Sequence, residues 1–313
     1  MNKVCVLGSI NMDLVFQIEN MPKEGETILS KQFDKNPGGK GANQAVAAKR
    51  SGASVYMIGK IGNDDNGRTM VEGLENDGIN TKYISIDPNE PTGMAIIMVN
   101  SQGNNSIVVE AGANMNIDNN DIKNADEAII NSDIIISQFE TPDQSAIEAF
   151  KRAKELNKIT ILNPAPAKKI EDELLKYTDI IVPNETEVEV ITGVKVFDLE
   201  SAKNAGQLLI EKGIKYVIIT LGEKGAALIS KDRAEIVQAF KVNAVDTTAA
   251  GDSFIGGISC KIDVNEFSFE SLLKSIRFGN MVSSLAVQKE GAQISIPYLN
   301  DVLEVYKDKE ELK

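Results

Sequence analysis

Short apolar runs of four to six residues alternate with longer amphipathic stretches along most of the 313-residue chain. The apolar runs, separated by Gly, Pro, Asn or Asp, predict β-strands at residues 4–7, 54–59, 133–138, 160–163, 179–183 and 216–220. The amphipathic stretches predict helices at residues 43–51, 66–76, 143–156 and 199–212, several of them followed by a glycine suited to a helix end. This alternation predicts an α/β fold with a mostly parallel central sheet.

Two segments, 11–35 and 92–112, interrupt the alternation of strands and helices. They contain short runs of alternating apolar and polar residues separated by turns. They predict antiparallel hairpins inserted into the α/β body. A small sheet with one apolar face and no helix to cover it would act as a lid or as a dimer surface. Since the sequence contains neither an interdomain linker nor an internal repeat, we expect one domain over residues 1–313, with a β lid formed by the two segments.

The charge balance bears on possible partners. The formal net charge is −13, and the sequence has no cluster of Lys and Arg that would neutralise a run of phosphates, which argues against nucleic acid as a partner. The apolar stretch at residues 4–7 is too short for a signal peptide core or a membrane span. We therefore expect a cytoplasmic protein that does not bind membranes.

Histidine is absent, which excludes Ser-His-Asp and Cys-His nucleophile systems and argues against a protein-bound zinc or non-haem iron site. Proton transfer must then fall to a carboxylate, Lys, Tyr or water. The two cysteines, Cys5 and Cys260, lie far apart in apolar surroundings and are predicted to be buried free thiols.

The first segment whose residues could bind a ligand is 36–47, where Gly38, Gly39 and Gly41 lead into an Ala-rich helix. Such glycines let the backbone approach a small polar ligand closely. Taken alone they are equally typical of a tight loop before a helix, since short glycine motifs have many false positives. The segment does not fit a Walker A loop, and the sequence has no GxGxxG dinucleotide fingerprint.

The second segment is 245–254, where Ala249, Ala250 and Gly251 precede Asp252. Small residues at a predicted helix N-terminus leave amides free for phosphate oxygens, so this segment predicts an anion hole. Asp252 at the same helix start could accept a proton from a hydroxyl that attacks the γ-phosphate. The alternative is that Asp252 only favours the helix as an acidic residue near its N-cap.

Together these two segments resemble the signature regions of the ribokinase-like, phosphofructokinase-B-type family of carbohydrate kinases. The resemblance extends from 8–13 to 289–297, so it covers nearly the whole chain, and within the family it is strongest to the ribokinases. It implies a three-layer α/β fold with a small antiparallel β lid. It also implies transfer of the ATP γ-phosphoryl group to O5 of D-ribose, with Mg²⁺ and a K⁺ activator, in a homodimer formed through the lid.

The resemblance also implies roles for individual positions, with Asp252 as general base and Ala249, Ala250 and Gly251 as the anion hole. The sugar site would contain Asn11, Asp13, Gly39, Lys40, Asn43, Glu140 and Asp252. The ATP site would contain Asn184, Glu187, Thr220, Gly222, Gly225 and Asn280, with Mg²⁺ near Glu187. The monovalent cation site would contain Asp246, Thr248, Ala286, Lys289, Gly291 and Ser295, several through backbone carbonyls.

Other interpretations remain open at this level. Single residues such as Asp13, Glu140 or Glu187 are more typically helix-capping or surface residues, and only their joint placement at strand ends favours binding. Fructokinase, 2-keto-3-deoxygluconate kinase and nucleoside kinase are alternatives, although the absence of Trp and the 5% aromatic content weaken the last. A sugar-binding regulator without catalysis is a further alternative, and a purely structural role gives no reason for so many ligand-like residues at strand ends. The chain also departs from the family pattern at Ser253, at Ile255-Gly256 and at Asn280, where His is frequent; these changes are expected to tune nucleotide or cation contacts.

Overall fold

The computed structural model describes residues 1–307. Its strands are β1 Lys3–Leu7, β2 Asn11–Gln17, β3 Gln32–Gly38, β4 Ser54–Gly62, β5 Asn80–Asp87, β6 Gly93–Val99, β7 Asn105–Glu110, β8 Ile134–Ser137, β9 Ile159–Leu162, β10 Ile180–Ile181, β11 Tyr216–Thr220, β12 Ala226–Ile229 and β13 Ala234–Val237. Its α-helices are α1 Lys40–Arg50, α2 Asp65–Asn76, α3 Asn119–Asn124, α4 Asp126–Ile130, α5 Asp143–Glu155, α6 Asp172–Lys176, α7 Glu185–Thr192, α8 Leu199–Ile210, α9 Ala250–Lys261, α10 Phe269–Ala286 and α11 Leu299–Tyr306. Short 3₁₀ helices cover Gly112–Asn116 and Gly222–Lys224.

Within the described residues, the central sheet has nine strands in the order β13-β12-β11-β10-β9-β8-β1-β4-β5. In this spatial order, the seven strands from β11 through β1 to β5 pair in parallel. Strands β12 and β13 pair antiparallel and form one edge of the sheet. All six predicted strands are present, and the predicted mostly parallel sheet is confirmed. The strand predicted at 179–183 is the shortest, with only Ile180 and Ile181 in ladder pairing.

Both faces of the sheet are covered by helices. Along β1, Val4 and Val6 pack into one core with residues of α1, α2, α9 and α10, whereas Cys5 and Leu7 pack into a second core with residues of α3 to α8. A strand covered on both faces is apolar at every position rather than at alternate ones, which explains the continuous run at 4–7. The three-layer architecture is therefore confirmed, and both cysteines are buried free thiols as predicted.

The two segments predicted as hairpins form a second sheet, which has the order β3-β2-β6-β7 in the described part of the chain. The β2–β3 and β6–β7 pairs are antiparallel, and the β2–β6 pair that joins the two hairpins is parallel. Every residue of β7 is exposed, including Ile107, Val108 and Val109. Strand β3 also runs beyond the predicted segment, to Gly38, because Asn11 and Met12 of β2 pair with Gly38 and Pro37.

The chain builds the central sheet in two directions from β1. Strands β4 and β5 lie on one side of β1, and strands β8 to β11 follow on the other, so the strand order reverses between β1 and β8. Ligands of open α/β sheets bind beyond the carboxyl ends of the strands at such a reversal. The residues that follow β1, β8, β9 and β10 therefore share one edge. Separately, no helix within residues 1–307 is long and apolar enough to cross a membrane.

Candidate active site

Helix α1 begins against the loop that follows β1. Its N-cap, Gly39, has φ 87°, and Ser9 O accepts a 2.9 Å hydrogen bond from Ala42 N. A side chain at Gly41 would collide with the backbone of Gly8 and Ser9, so this close approach requires glycine. Glu140 Oε2 accepts hydrogen bonds from Ser9 Oγ and, at 3.1 Å, from Lys40 N. Helix α1 begins at Lys40, three residues before the predicted position 43. It can begin there because the carboxylate of Glu140, distant in the sequence, accepts from its first amide.

A group of charged side chains surrounds this helix start. The pKa of Asp13 is raised to about 7, chiefly by burial and then by the negative charges of Glu140 and Asp252, against the opposing effect of Lys40. Burial lowers the pKa of Lys40, but Asp252, Glu140, Glu187 and Asp13 together hold it above its usual value. The structure thus brings three of the predicted sugar-site carboxylates around one ammonium group, although they lie more than 100 residues apart in the sequence.

Asp252 lies in the first turn of α9 and is only 8% exposed. Its Oδ2 accepts a 3.1 Å hydrogen bond from Asn43 Nδ2, and its Oδ1 accepts a 2.9 Å hydrogen bond from Gln44 Nε2. Burial raises the pKa of Asp252, while Lys40 and the two amides counteract this rise. A buried carboxylate with a raised pKa and fixed orientation is a suitable proton acceptor.

The start of α9 also has the features of an anion site. Its N-cap, Ala249, adopts the left-handed conformation at φ 58°, and in the described residues no side chain caps the helix. The amide of Ala250 donates to Thr247 O at 3.1 Å, so this one of the predicted anion-hole amides closes a turn. The amides of Gly251 and Asp252 belong to the first turn, which has no carbonyl partner earlier in the helix. Ala249, Ala250, Gly251 and Asp252 line one cleft with Lys40, Asn184, Glu187 and Thr220.

Asn184 and Glu187, two predicted ATP residues, bond to each other as a capping box at the start of α7. Asn184 Oδ1 accepts from Glu187 N at 2.8 Å, and Glu187 Oε2 accepts from Asn184 N at 2.9 Å. The structural alternative considered for Glu187 is therefore realised, and both residues nevertheless line the cleft. Burial raises the pKa of Glu187, against the opposing effects of the Asn184 amide and Lys40.

A cavity of about 810 Å³ adjoins this cleft and shares Thr247 and Ala250 with it. Its walls include Gly222, Phe240, Asn280 and Val287. Asn280 donates to Val237 O at 3.1 Å and to Gln238 O at 3.2 Å, so its amide holds the chain that forms one wall. Gly225, with φ 103°, does not line the cavity; it lies against the backbone of Val237 to Ala239, where a side chain would not fit.

Sequence reasoning missed the aromatic wall of this cavity. The ring of Phe240 lies 4.5 Å from the ring of Tyr306 in α11, and the guanidinium carbon of Arg277 lies 4.9 Å from the centroid of Phe240. A single Phe in a loop belongs to no periodic pattern. The low aromatic content of 5% also gave no indication that one of the rings lines a cavity.

The predicted cation residues are only partly adjacent. Asp246 Oδ1 accepts from Thr248 N and Oγ1, and its Oδ2 accepts from Gly291 N at 2.9 Å. Burial raises the pKa of Asp246, but these hydrogen bonds outweigh burial and hold it below its usual value. The turn from Ala286 to Lys289 is joined to the same place, because Val287 O accepts from Val245 N and Asp246 N. Ser295 is buried and donates to Ala292 O, not to Asp246.

The available donor atoms differ between a metal site made of clustered side chains and a cation site made of single carboxylates and backbone oxygens. Within residues 1–307, no group of three or more His, Cys, Asp or Glu side chains could hold a metal. Around Asp246 the donor atoms are oxygens, namely a carboxylate with a lowered pKa and the nearby carbonyl of Val287, which accepts from Val245 N and Asp246 N. Oxygen donors suit a hard cation. At Glu187, one carboxylate oxygen bonds to Asn184, and the other carries no bond to that cap.

The comparison with known proteins decides the family. The model of the pfkB family carbohydrate kinases matches residues 1–299. The chain belongs to the pfkB family of carbohydrate kinases. A ribokinase from Staphylococcus aureus (strain COL) is 44% identical over 305 residues, which cover 97% of this chain and 99% of that protein. A ribokinase from Haemophilus influenzae is 44% identical over 299 residues, 96% of each chain.

A solved structure gives the same result for this pfkB family member. Arabidopsis thaliana ribokinase complexed with ribose and ATP superposes with a TM-score of 0.89 and 34% sequence identity. The match covers 98% of this chain and 99% of the other. The whole architecture described above, including the small sheet, is thus that of the ribokinase fold.

Four buried amide side chains of this pfkB family member were also missed by sequence reasoning. Gln44, Gln138 and Asn163 form a hydrogen-bonded group behind Asp252, and Asn114 bonds to Asn11. Gln44 lies within segment 36–47, and Gln138 is the last residue of the strand predicted at 133–138, two residues before Glu140. The available signal was an uncharged polar residue inside an otherwise apolar helix or strand end.

Proposed function

We propose that this protein is an ATP-dependent sugar kinase that transfers the γ-phosphoryl group of ATP to O5 of D-ribose, giving D-ribose 5-phosphate and ADP. The observation that carries the proposal is the position of Asp252. Its carboxylate bonds to Asn43 on the sugar side, and it lines the cleft that contains the uncapped start of α9. One carboxylate thus borders both predicted substrates.

The sugar side is rich in groups that recognise hydroxyls. Asp13 and Glu140 are partly buried carboxylates, and Lys40 supplies an ammonium group that interacts electrostatically with both. Asn43 Oδ1 is buried and has no hydrogen-bond partner among the described residues, which a sugar hydroxyl would supply. Since a polyol offers donors and acceptors at every carbon, this combination favours a sugar as the acceptor substrate.

In the proposed reaction, Asp252 takes the proton of the O5 hydroxyl while O5 attacks the γ-phosphorus in line with the leaving oxygen. A bond forms between O5 and phosphorus, the bond from phosphorus to the β–γ bridging oxygen breaks, and ADP leaves. The amides of Gly251 and Asp252 and the positive end of the α9 dipole stabilise the negative charge on the transferred group. The adjoining cavity with Gly222, Phe240 and Asn280 is the proposed site of the adenosine moiety.

Two metals complete the proposal. Mg²⁺ near Glu187 would neutralise charge on the nucleotide phosphates, as a hard cation held by a carboxylate and phosphates does. K⁺ beside Asp246 would fix the loop between Asp246 and Ala249, whose backbone leads into α9. Thr248, Ala286, Lys289, Gly291 and Ser295 are the other proposed members, and the bond of Ser295 to Ala292 makes it the weakest of them.

The proposal extends to assembly and location. The exposed apolar residues Ile107, Val108 and Val109 on β7 support a homodimer formed through the small sheet, which we call the lid. The site chemistry also supports a location where ATP is plentiful, and we place the protein in the cytoplasm. One domain with its lid is the proposed unit of function.

The test is ADP release with ATP against ribose, deoxyribose, fructose, 2-keto-3-deoxygluconate and adenosine, each in KCl and in NaCl. The expected result is the highest kcat/KM with ribose, stimulation by K⁺, and a product phosphorylated at O5 by ³¹P NMR. A higher kcat/KM with fructose, ketodeoxygluconate or adenosine would replace ribose by that substrate. Calorimetric sugar binding without any ADP release would replace the kinase by a sugar-binding regulator.

A further inference from the structure

Behind Asp252, three buried amides form a continuous hydrogen-bonded chain. Gln138 Nε2 donates to Gln44 Oε1 at 2.7 Å, and Gln44 Nε2 donates to Asn163 Oδ1 at 3.0 Å and to Asp252 Oδ1 at 2.9 Å. Asn163 Nδ2 in turn donates to Val182 O at 3.1 Å. The side chains come from α1 and from the residues after β8 and β9, and Gln44 and Gln138 are almost completely buried.

The bonding pattern allows only one orientation of the Gln44 amide. Both of its N–H groups point to acceptors, Asn163 Oδ1 and the Asp252 carboxylate, and its oxygen faces the Nε2 donor of Gln138. A flipped amide would place its oxygen against two acceptors and its two donors against a third donor. Gln138 therefore supports the direction in which Gln44 donates, through the bond to Gln44 Oε1, and has no hydrogen bond to Asp252 itself among the described residues.

The second oxygen of the carboxylate has a different neighbour. Asn43 Nδ2 bonds to Oδ2, and the charged groups that face Asp252 are Lys40 of α1, Asp13 of β2, Glu140 after β8 and Glu187 of α7. Lys40 attracts the carboxylate from the cleft, and the three acidic groups repel it. The hydrogen bond from Gln44 Nε2 gives Oδ1 a directional partner in the protein interior, on which these charges have no direct hold.

We propose that Gln44 is a positioning residue, oriented by Gln138, that holds Asp252 Oδ1 towards the protein interior and so presents Oδ2 to the acceptor hydroxyl. The inference rests on the proposed function only in taking Asp252 as the base. Neither glutamine contacts substrate in this arrangement. Their loss therefore slows phosphoryl transfer and leaves sugar affinity nearly unchanged.

The test is a double-mutant cycle of Gln44→Met, Gln138→Met and the double variant, with kcat and KM for ribose and ATP and the calorimetric Kd for ribose. Gln44→Met should lower kcat roughly 10- to 100-fold, as expected for a lost hydrogen bond to a charged group. Gln138→Met should lower it roughly 3- to 10-fold, and the double variant should match Gln44→Met within about twofold. KM and Kd for ribose should stay within about threefold of the wild-type values.

Ser259→Ala is the control, because Ser259 is a buried polar residue of α9, the helix that carries Asp252, and its hydroxyl donates to Gly256 O, away from the carboxylate. It should leave kcat unchanged. Should Gln44→Met fail to fold, Gln138→Met alone carries the test, and an unchanged kcat in that variant would overturn the inference. Additive losses in the cycle, or a raised KM with normal kcat, would also overturn it.

The Asp252→Asn background separates this inference from the proposed function. In that background, Gln44→Met should cause no further loss of kcat, because there is no longer a base to position. Near-normal activity of Asp252→Asn would remove the proposed base itself. An inactive Asp252→Asn together with fully active glutamine variants would leave the kinase proposal intact and overturn only the positioning role.

Discussion

Asn114 donates a 2.7 Å hydrogen bond to Oδ1 of Asn11, a residue 103 positions earlier in the chain. The same amide group donates to Ile10 O and Ala111 O, and Asn114 Oδ1 accepts from Ile10 N at 2.9 Å. One buried side chain therefore joins the residue before β2 to the residue after β7. Because Asn11 Oδ1 is already engaged, its Nδ2 remains as the donor to a ligand.

Replacing Asn114 by Ala should raise the KM for ribose about 3- to 10-fold with a smaller change in kcat, since one hydrogen bond that orients a ligand residue is lost. Steady-state kinetics measures both constants. Asn116→Ala is the matched control, because Asn116 lies in the same 3₁₀ helix and bonds to Asp87 outside the site. It should lower the melting temperature without changing KM, and an equal rise of KM in both variants would contradict the prediction.

Replacing Asp252 by Asn should lower kcat by a factor on the order of 10² to 10⁴, because Asn cannot accept the hydroxyl proton. Ribose binding should persist, since the amide keeps the shape of the carboxylate. Rapid-quench kinetics and calorimetry measure the two quantities. Turnover close to that of the wild type would exclude Asp252 as the base.

The raised pKa of Asp13 predicts that the free energy of unfolding depends on pH. Its pKa rises from an ordinary value of 3.8 to about 7 in the folded protein, first through burial and then through Glu140 and Asp252. Folding therefore takes up a proton within this window, so stability is lost as pH rises from about 4 to about 7 and is constant above it with respect to this group. Asp13→Asn should raise the melting temperature more at pH 8 than at pH 5, and should weaken ribose binding.

Glu140→Gln is the graded control for this prediction, because it removes one of the charges that raise the pKa of Asp13. It should reduce the loss of wild-type stability between pH 5 and pH 8 without abolishing it. The same gain in melting temperature at both pH values in Asp13→Asn would show that the Asp13 carboxyl is already ionised at pH 5.

Asp246→Ala should abolish activation by K⁺, because its carboxylate joins Thr248 to Gly291 and is the only charged group among the proposed cation ligands apart from the side chain of Lys289. Turnover in KCl should fall to the wild-type level in choline chloride. Asp232→Ala, in an exposed loop, is the control and should keep the full K⁺ response. A normal K⁺ response in Asp246→Ala would place the cation elsewhere.

Arg50 links α1 to the segment that follows Gly291. Its guanidinium group forms two hydrogen bonds with Asp77 and donates to Gln293 O at 2.6 Å and Ile296 O at 3.0 Å. Arg50→Met should lower the free energy of unfolding by about 3–5 kcal/mol, because the nearly buried Asp77 carboxylate loses its cationic partner and keeps only the hydrogen bond from the Tyr298 hydroxyl. Urea unfolding measures the change, and Arg68→Met, which breaks an exposed pair with Asp65, should have little effect. Similar losses in both variants would contradict the role of burial.

The fold could be predicted in outline because the buried parallel strands carry continuous apolar runs. Residues 4–7 are apolar throughout, 216–220 has the apolar centre Val217 to Ile219, and both strands lie where they were expected. The two-residue strand β10 and the antiparallel edge strands β12 and β13 were less predictable, because short edge strands have little periodic pattern. The start of α1 was placed too late for another reason: its first amide bonds to Glu140, 100 residues away.

The candidate site was predictable only where a residue belonged to a recognisable segment. Asp252 and Asn43 lay in such segments, and the structure brings them together as expected. Asn163 and Asn114 did not, since a single amide has no spacing by which the sequence could identify it. Their importance arises from contacts across 100 residues or more, which only the folded chain creates.

Strand β3 ends at Gly38 and helix α1 begins at Lys40, so a single residue separates the small sheet from the helix that carries Lys40, Asn43 and Gln44. A connection of one residue has little conformational freedom. A swing of the small sheet over the sugar would therefore turn the backbone at Gly39 and act first on Lys40, the residue with which α1 begins. On the proposed function, opening of the sheet to admit substrate would thus be coupled to the alignment of the charged groups for catalysis.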